Sequence, residues 1–286
     1  MTPDRPPPVR ASPEVRGLVP GVRVLLAAFA VLTLLATNQL FVLAEHTASG
    51  FAWTIEPPLT AAFLGAGYAA GCVLVLLSLR TGHWAAARTG FLTVLVFTLV
   101  ALAATLLHLD RFHFDAEGLV PRSAAWIWLV VYVVVPAAML AVLPAQGRAP
   151  GDDPAAPRPL GPVLKGALAA QAAVLLIAGA VLFLVPAGRE SWPWTLTPLT
   201  ARMVASWLVA LGVGAVLALR EDDLRRLQPA AVTYAVLGAM QLAALVRFPD
   251  TVDWARPAAR AYVAVVATVL LTGVAGVVRG RAPAAG

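Results

Sequence analysis

The chain has 286 residues, of which 60% are hydrophobic and 13% carry a charge. Soluble domains carry about 25% charged residues, and a fold this apolar would expose more hydrophobic surface than water tolerates. The composition therefore excludes a soluble globular protein and predicts an integral membrane protein. Although the net charge is +6, the basic residues flank apolar runs instead of forming a basic domain, so we expect no nucleic-acid partner. The single cysteine, Cys72, excludes a disulfide within the chain and a Cys-x-x-Cys site.

Eight uncharged apolar segments of 17–21 residues follow one another along the chain. Each is close to the ~20 residues that cross a ~30 Å hydrocarbon core as a helix. They lack the alternation of a barrel strand, so we expect helices. The segments are Val24–Ala44, Leu59–Leu79, Gly90–Leu109, Ala124–Leu143, Gly166–Val185, Met203–Leu219, Pro229–Val246 and Ala261–Val278.

The two halves of the chain repeat the same landmarks. Residues 51–61 read FAWTIEPPLTA and residues 191–201 read SWPWTLTPLTA, and Arg111-Phe112 returns as Arg247-Phe248. Because the landmarks keep their order, we predict a tandem duplication of a four-span unit. Four is an even number, so both copies enter the membrane from the same side. The predicted fold class is therefore an all-α integral membrane protein with eight transmembrane helices, arranged as two parallel four-helix repeats.

Small residues offer a way for the second and sixth spans to approach each other. Gly67 and Gly71 are four residues apart in the second span, and Gly212 and Gly214 lie in the sixth. Such spacing lets helices pack closely where lipid gives no hydrophobic drive to associate. We therefore expect these two spans to touch across the axis that relates the repeats.

The basic residues set the predicted orientation. Fourteen Lys and Arg residues fall on the side of the predicted spans that holds both termini, and seven fall on the other. Positive residues favour the cytoplasm, so both termini are predicted to be cytoplasmic in a bacterial cell (inner) membrane. The predicted organisation is a disordered Pro/Arg-rich cytoplasmic arm 1–21, a first four-span repeat 22–144, a Pro/Gly-rich cytoplasmic linker 145–162, a second repeat 163–280 and a tail 281–286.

Polar side chains are rare inside the predicted spans. No Asp, Glu, Lys or Arg lies in the middle of one, which argues against proton-coupled pumps and ion carriers. Among the deepest polar groups are Asn38 and Gln39 in the first span and Gln241 in the seventh. Hydrogen bonding between helices is their default explanation, and orienting a ligand inside the bundle is the alternative.

Ionisable residues concentrate on the predicted outer face. One interpretation is solvated polar loops, with the tryptophans in an interfacial belt. Another is a pocket that opens outward between the repeats, where Glu56 and Arg202 pair because neither charge has a counterpart in the other half. The candidate ligand-binding residues under this interpretation are Glu56, Arg202, His46, Asn38, Gln39, Gln241, Trp53 and Trp194.

A third interpretation of the outer face is a site for a divalent metal or haem. Its candidate ligands are His46, His108, His113 and Asp110. His108 and His113 are five residues apart, so on one continuous helix they would point about 140° apart and could converge only if the helix ends between them. His108 and Asp110 could also do acid–base chemistry on a lipid-linked substrate, but the sequence has no serine-hydrolase, zincin or Walker motif.

Three functions therefore stay open from the sequence. The leading hypothesis is a protein that binds or transports a small or amphiphilic ligand through an outward-facing pocket, with membrane lipid around it. The alternatives are a membrane redox, metal or haem protein and a non-catalytic membrane assembly subunit. Enzyme activity is not favoured.

Overall fold

The computed structural model describes residues 14–153 and 158–281, and it has eight long helices in that part of the chain. Each has 20 to 29 residues and is apolar enough to cross a membrane, which confirms the prediction of eight long apolar helices and is compatible with a multi-pass membrane protein. The helices are α1 Pro20–Thr37, continued by a π-helical turn Asn38–Val42, α2 Pro58–Thr81, α3 Trp84–Leu106, α4 Leu119–Gly147, α5 Pro162–Leu184, α6 Pro198–Glu221, α7 Gln228–Arg247 and α8 Pro257–Arg281.

Local sequence explains where these helices begin and end. Proline occupies the first or second position of six of them, where its missing N–H would have had no partner within the helix. Helix α2 ends at Gly82 with a φ of 66°, and α6 ends at Asp222 with a φ of 44°. Both residues take the left-handed conformation that stops a helix. Most helices extend several residues beyond the predicted uncharged segments, and α3 takes in Arg88 as α6 takes in Arg202.

The eight crossings divide the loops between two faces of the bundle. The linker face carries residues 14–19, 82–83, 148–153, 158–161 and 222–227, and both ends of the described chain lie there. The tryptophan face carries residues 43–57, 107–118, 185–197 and 248–256. The residues predicted to form an outer site therefore all lie on or near the tryptophan face.

Four helices form the centre of the bundle. Helix α2 packs along α7, and α3 packs along α6. The other four lie outside them, with α1 against α2, α4 against α3, α5 against α6 and α8 against α7. Helices α2 and α6 also touch, as predicted, but they contact each other less extensively than α2 contacts α7. At their contact Gly67 accommodates the ring of Trp207, since a Cβ at Gly67 would lie 2.7 Å from that ring.

The segment before α1 is joined to the linker face by hydrogen bonds. Gln146, at the end of α4, accepts from the Val19 N–H and donates to the Gly17 carbonyl, both at 2.9 Å. The Arg16 N–H donates to the Asp152 carbonyl at 2.9 Å. Of the predicted disordered arm 1–21, residues 1–13 lie outside the described residues, whereas residues 14–19 make these bonds and α1 begins at residue 20. Residues 154–157 of the predicted linker and 282–286 of the predicted tail also lie outside them.

Charged side chains connect the two halves at the linker face. Arg88 at the start of α3 binds both carboxylate oxygens of Glu221, at the end of α6, with distances of 2.6 Å. Asp153 accepts from Arg88 at 2.7 Å, and Arg226 donates to Glu221 at 2.8 Å and to Asp223 at 3.1 Å. Opposite charges therefore hold the first half to the second on this side.

Candidate functional site

Two aromatic clusters of the same design close the tryptophan face. In the first, Phe51, Trp53 and Trp128 lie with ring centroids 4.8–5.6 Å apart. In the second, Trp192, Trp194 and Tyr262 lie 5.2–5.7 Å apart. Each cluster joins two residues of the loop before α2 or α6 to one residue of the last helix of its half. Five of the six rings are buried and that of Tyr262 is partly buried, so they fill the space between helices instead of standing in an exposed belt.

A hydrogen bond fixes the last ring of each cluster to the neighbouring helix. The Trp128 N–H donates to the Thr105 hydroxyl at 3.0 Å, and the Tyr262 hydroxyl donates to the Gln241 side-chain carbonyl at 3.0 Å. The Gln241 amide nitrogen in turn donates to the Phe63 carbonyl at 3.1 Å. The predicted polar residue Gln241 is therefore buried and paired between helices, as its default explanation requires.

A large cavity lies inside the bundle and is lined by residues of all eight helices. Its volume is about 620 Å³ and its lining is almost entirely apolar. Tyr68, Phe97, Tyr132 and Trp207 form its aromatic middle, where the hydroxyl groups of the two tyrosines are hydrogen-bonded to each other. Most of the lining therefore offers carbon surface, and these two hydroxyl groups are already partners.

The large cavity reaches the membrane-facing surface between α1 and α4. Leu35 of α1 and Ile127 of α4 line it and are also more than half exposed on the outside of the bundle. Leu119 and Val120, at the start of α4, line it in the same way. Gln39 places an amide at the end of this opening near the tryptophan face. A molecule dissolved in the bilayer would therefore meet the cavity from the side.

A smaller cavity of about 240 Å³ lies in the second half. Helices α5 to α8 and the loop residues Trp192 and Pro193 line it, and Phe63 and Gly67 of α2 complete its wall. It shares Trp207 and Gly67 with the large cavity, so the Trp207 ring lies on the wall common to both.

Arg202 does not meet Glu56, the residue with which it was predicted to pair. It donates to the ring nitrogen Nε2 of His108 at 2.5 Å and to the Phe183 carbonyl at 3.2 Å. Burial and the positive charge of Arg202 lower the pKa of His108, so the ring is held neutral and can accept this hydrogen bond. Arg202 therefore joins the end of α3 to the end of α5, and Glu56 is exposed.

The other candidates on this face are scattered. His46 and Asn38 are exposed, and Trp53 and Trp194 are buried in the aromatic clusters and line neither cavity. The Trp194 N–H donates to the Thr60 hydroxyl of α2 at 2.9 Å, which ties the second half to the first. Of the eight predicted ligand-binding residues, Gln39 lines the large cavity and Gln241 lines the smaller one.

The candidate metal ligands likewise have separate partners. His113 bonds the Phe51 carbonyl at 3.0 Å and the Thr54 hydroxyl at 3.1 Å, while His108 bonds Arg202. Asp110 pairs with its neighbour Arg111. Across residues 14–153 and 158–281, no group of three or more His, Cys, Asp or Glu side chains is placed to hold a metal ion. A metal or haem site stays a prediction from the sequence.

Sequence reasoning missed most of the residues that line the cavities. Tyr68, Tyr132 and Trp207 lie in apolar helices, where an aromatic residue looks like any other core residue. The sequence feature that could have indicated the large cavity is the pair Gly67 and Gly71, because glycine has no side chain to fill the space beside α2. Comparison with known protein families, with curated proteins and with solved structures finds no match to this chain.

Proposed function

We propose that this protein binds the hydrocarbon part of an amphiphilic membrane molecule in its large cavity. The observation that carries the proposal is the cavity itself, with a volume of about 620 Å³, an apolar lining and an opening toward the bilayer. Ligand pockets usually have volumes of about 300–1,000 Å³. Apolar walls favour a hydrocarbon chain because they replace its lipid surroundings without requiring a polar partner.

The position of the opening also determines how the ligand is oriented in the cavity. The cavity meets the bilayer between α1 and α4, where Leu35 and Ile127 are exposed, so the chain enters sideways without crossing the aromatic clusters. Gln39 and Ser123 line the same cavity near the tryptophan face and can bond a polar head group. The ligand therefore lies with its head toward the tryptophan face and its chain in the bundle.

A photoactivatable palmitic acid with a diazirine in the middle of its chain tests the proposal. The protein is reconstituted in phosphatidylcholine nanodiscs, illuminated, and the labelled residues are identified by mass spectrometry. We expect labels on buried lining residues such as Tyr68 and Tyr132, and we expect excess unlabelled palmitic acid to remove them. Labels confined to membrane-facing side chains such as Val246, or labels that do not compete, would refute the proposal.

Two matched variants sharpen that experiment. Gly71 lines the large cavity, and a Cβ there lies 3.8 Å from the nearest side-chain atom, so Gly71→Leu fills cavity space without a clash at its first carbon. Gly166 of α5 lines neither cavity, and a Cβ there meets nothing within 4 Å, so Gly166→Leu is the control. Competable labelling should fall roughly tenfold in the first variant, which corresponds to about 1.4 kcal/mol, and stay unchanged in the second.

We further propose that the two halves are copies related by an axis along the membrane normal. Helices α2 and α6 both have 24 residues, begin with proline and end at a left-handed residue. In the proposed repeat α2 corresponds to α6 and α3 corresponds to α7, and the contact between α2 and α7 has its counterpart in the contact between α6 and α3. The aromatic clusters and their hydrogen bonds from Trp128 to Thr105 and from Tyr262 to Gln241 correspond in the same way. These correspondences support the duplication inferred from the sequence.

The linker face is proposed to lie in the cytoplasm. Of the 19 basic residues that the structure describes, twelve belong to that side, and the excess of Lys and Arg favours the cytoplasm. Reporter tags at Pro150 and after Gly286 should both be cytoplasmic, whereas a tag after Glu117 should be external. Opposite locations for the first two tags would contradict both the orientation and the four-span repeat.

A further inference from the structure

The large cavity runs along nearly the whole length of the bundle. Leu119, the first residue of α4 at the tryptophan face, lines one end of it. Ala218, near the end of α6, and Leu227, just before α7, line the other end at the linker face. Ala218 lies about 30 Å from the first residue of α6, because a helix rises 1.5 Å per residue. The cavity is therefore about as long as the hydrocarbon core of a membrane is thick.

The two ends of the large cavity differ in their exposure. At the tryptophan face, the lining residues Leu119 and Val120 are more than half exposed. At the linker face, five leucines line the cavity, each is at most 6% exposed, and they pack together in one cluster. This leucine wall consists of Leu160, Leu164, Leu168, Leu224 and Leu227. The cavity therefore has an entrance from the bilayer at one end and is closed at the other.

Hydrogen bonds hold the leucine wall in place. The Leu160 N–H donates to the Asp222 carboxylate at 3.0 Å, and the same carboxylate binds Lys165 of α5 at 2.5 Å. The Leu224 N–H donates to the Arg158 carbonyl at 2.7 Å. The segment before α5 is thus fixed to the segment between α6 and α7, and the leucine wall is a fixed end of the cavity.

A chain that reaches only through one leaflet would leave the linker half of the cavity empty. One leaflet contributes about half of the ~30 Å hydrocarbon core, whereas the cavity extends along nearly all of it. Side chains beside an empty space lose the dispersion contacts that an occupant would supply. Among the described residues that line the cavity, none is Asp, Glu, Lys, Arg or His, so hydrocarbon suits it as far as the leucine wall.

We infer that the ligand of the large cavity is an amphiphile with a hydrocarbon chain longer than one leaflet, and that the leucine wall limits the length of this chain. The head group lies at Gln39 and the methyl end of the chain contacts Leu164 and Leu227. This inference rests on the proposed function and adds the chain length and the residues that select it.

Two photoactivatable acids test the inference, each with a diazirine beside the methyl end of its chain. One is palmitic acid, and the other is lignoceric acid, whose chain is half as long again. In phosphatidylcholine nanodiscs, lignoceric acid should label Leu164 and Ala218, excess unlabelled lignoceric acid should remove these labels, and palmitic acid should label middle residues such as Trp207. If lignoceric acid labels only the middle residues, or labels Val163, the membrane-facing neighbour of Leu164, the inference is wrong. Competable palmitic acid labels inside the cavity would then still support the proposed function.

A substitution that shortens the cavity gives the second measurement. Ala230 lines the cavity and packs against the leucine wall, so Ala230→Phe fills its closed end. The ratio of lignoceric to palmitic acid affinity should fall roughly fivefold, because the longer chain loses its contacts there. Ala167 of α5 is also partly buried but lines neither cavity, so Ala167→Phe is the control and should leave the ratio unchanged.

Comparing the ratio between variants cancels the different partition of the two acids into the bilayer. Unchanged binding of palmitic acid shows that each variant is folded. A ratio that is unaltered in Ala230→Phe, or that falls equally in Ala167→Phe, would refute length selection by the leucine wall. The labelling of the unaltered protein decides the inference even if a variant does not fold.

Discussion

Glu221 is the centre of the charged contact between the two halves, and replacing it with glutamine tests how much that contact stabilises the fold. Its carboxylate accepts two hydrogen bonds from Arg88 at 2.6 Å and one from Arg226 at 2.8 Å. The Glu221 side chain is 5% exposed and that of Arg88 is 29% exposed. The variant keeps the shape of the side chain, removes its charge, and replaces one of the two acceptor oxygens with an NH2 group that cannot accept a hydrogen bond from arginine.

The expected loss follows from what remains after the substitution. A hydrogen bond to a charged group contributes about 1.5–3 kcal/mol, and breaking a buried ion pair costs about 3–5 kcal/mol. Asp153 still lies 2.7 Å from Arg88, and Asp223 still lies 3.1 Å from Arg226, so neither arginine is left without a carboxylate. We therefore expect a loss at the low end, about 2–3 kcal/mol in the free energy of unfolding.

The pair of Lys165 and Asp222 provides the matched control. Its atoms are as close, at 2.5 Å, but the two side chains are 45% and 35% exposed. Exposed pairs contribute little to stability because water screens them, so Asp222→Asn should lose clearly less than Glu221→Gln. Unfolding in mixed micelles by titration with dodecyl sulfate measures both variants. If Glu221→Gln loses no more than Asp222→Asn, burial does not decide the strength of this contact and the reasoning is wrong.

Three further predictions concern hydrogen bonds near the tryptophan face. Burial and Arg202 lower the pKa of His108, so the neutral imidazole contributes its full stabilisation above pH about 6.5, the usual pKa of histidine, and this stabilisation is lost as the pH falls through the lowered pKa. His108→Gln should therefore make the unfolding temperature depend less on pH in the acidic range. Thr60→Val removes the acceptor of the Trp194 N–H and should cost about 1–3 kcal/mol in thermal unfolding, with a smaller added loss when Trp194→Phe is combined with it. Arg247 donates to carbonyls at the end of α1, so Arg247→Gln should cost about 1–2 kcal/mol by the same measurement, and Arg247→Lys should cost less.

The eight helices could be predicted from the sequence because each requires only length and apolar composition. Their ends could not, since the helices include charged residues that apolar runs leave out. Arg88 lies in the second turn of α3, where Glu221 and Asp153 neutralise it, and those partners are 133 and 65 residues away along the chain. A partner so distant leaves no local pattern.

The candidate site was harder to predict because it is a cavity, a space that no side chain fills. Unmatched charges suggested that Glu56 and Arg202 would pair, but Glu56 is exposed and Arg202 finds His108 at the end of another helix. The large cavity instead lies where side chains of all eight helices leave space, and no single segment of sequence encodes that. Glycines mark part of the space, as Gly71 does, yet the same residues also serve close packing.

The proposed duplication explains why the two halves are no longer interchangeable. Counted from their first prolines, Gly67 of α2 and Trp207 of α6 hold the same position, and they touch each other as equivalent positions beside a twofold axis do. Two tryptophans could not fit there, because even a Cβ at Gly67 would lie 2.7 Å from the Trp207 ring. In the same register Gly71 corresponds to Leu211, so the first half keeps open the volume that a leucine occupies in the second. Under this proposal a large side chain in one copy is matched by a small one in the other, and Gly71 and Leu211 both line the large cavity that the two halves share.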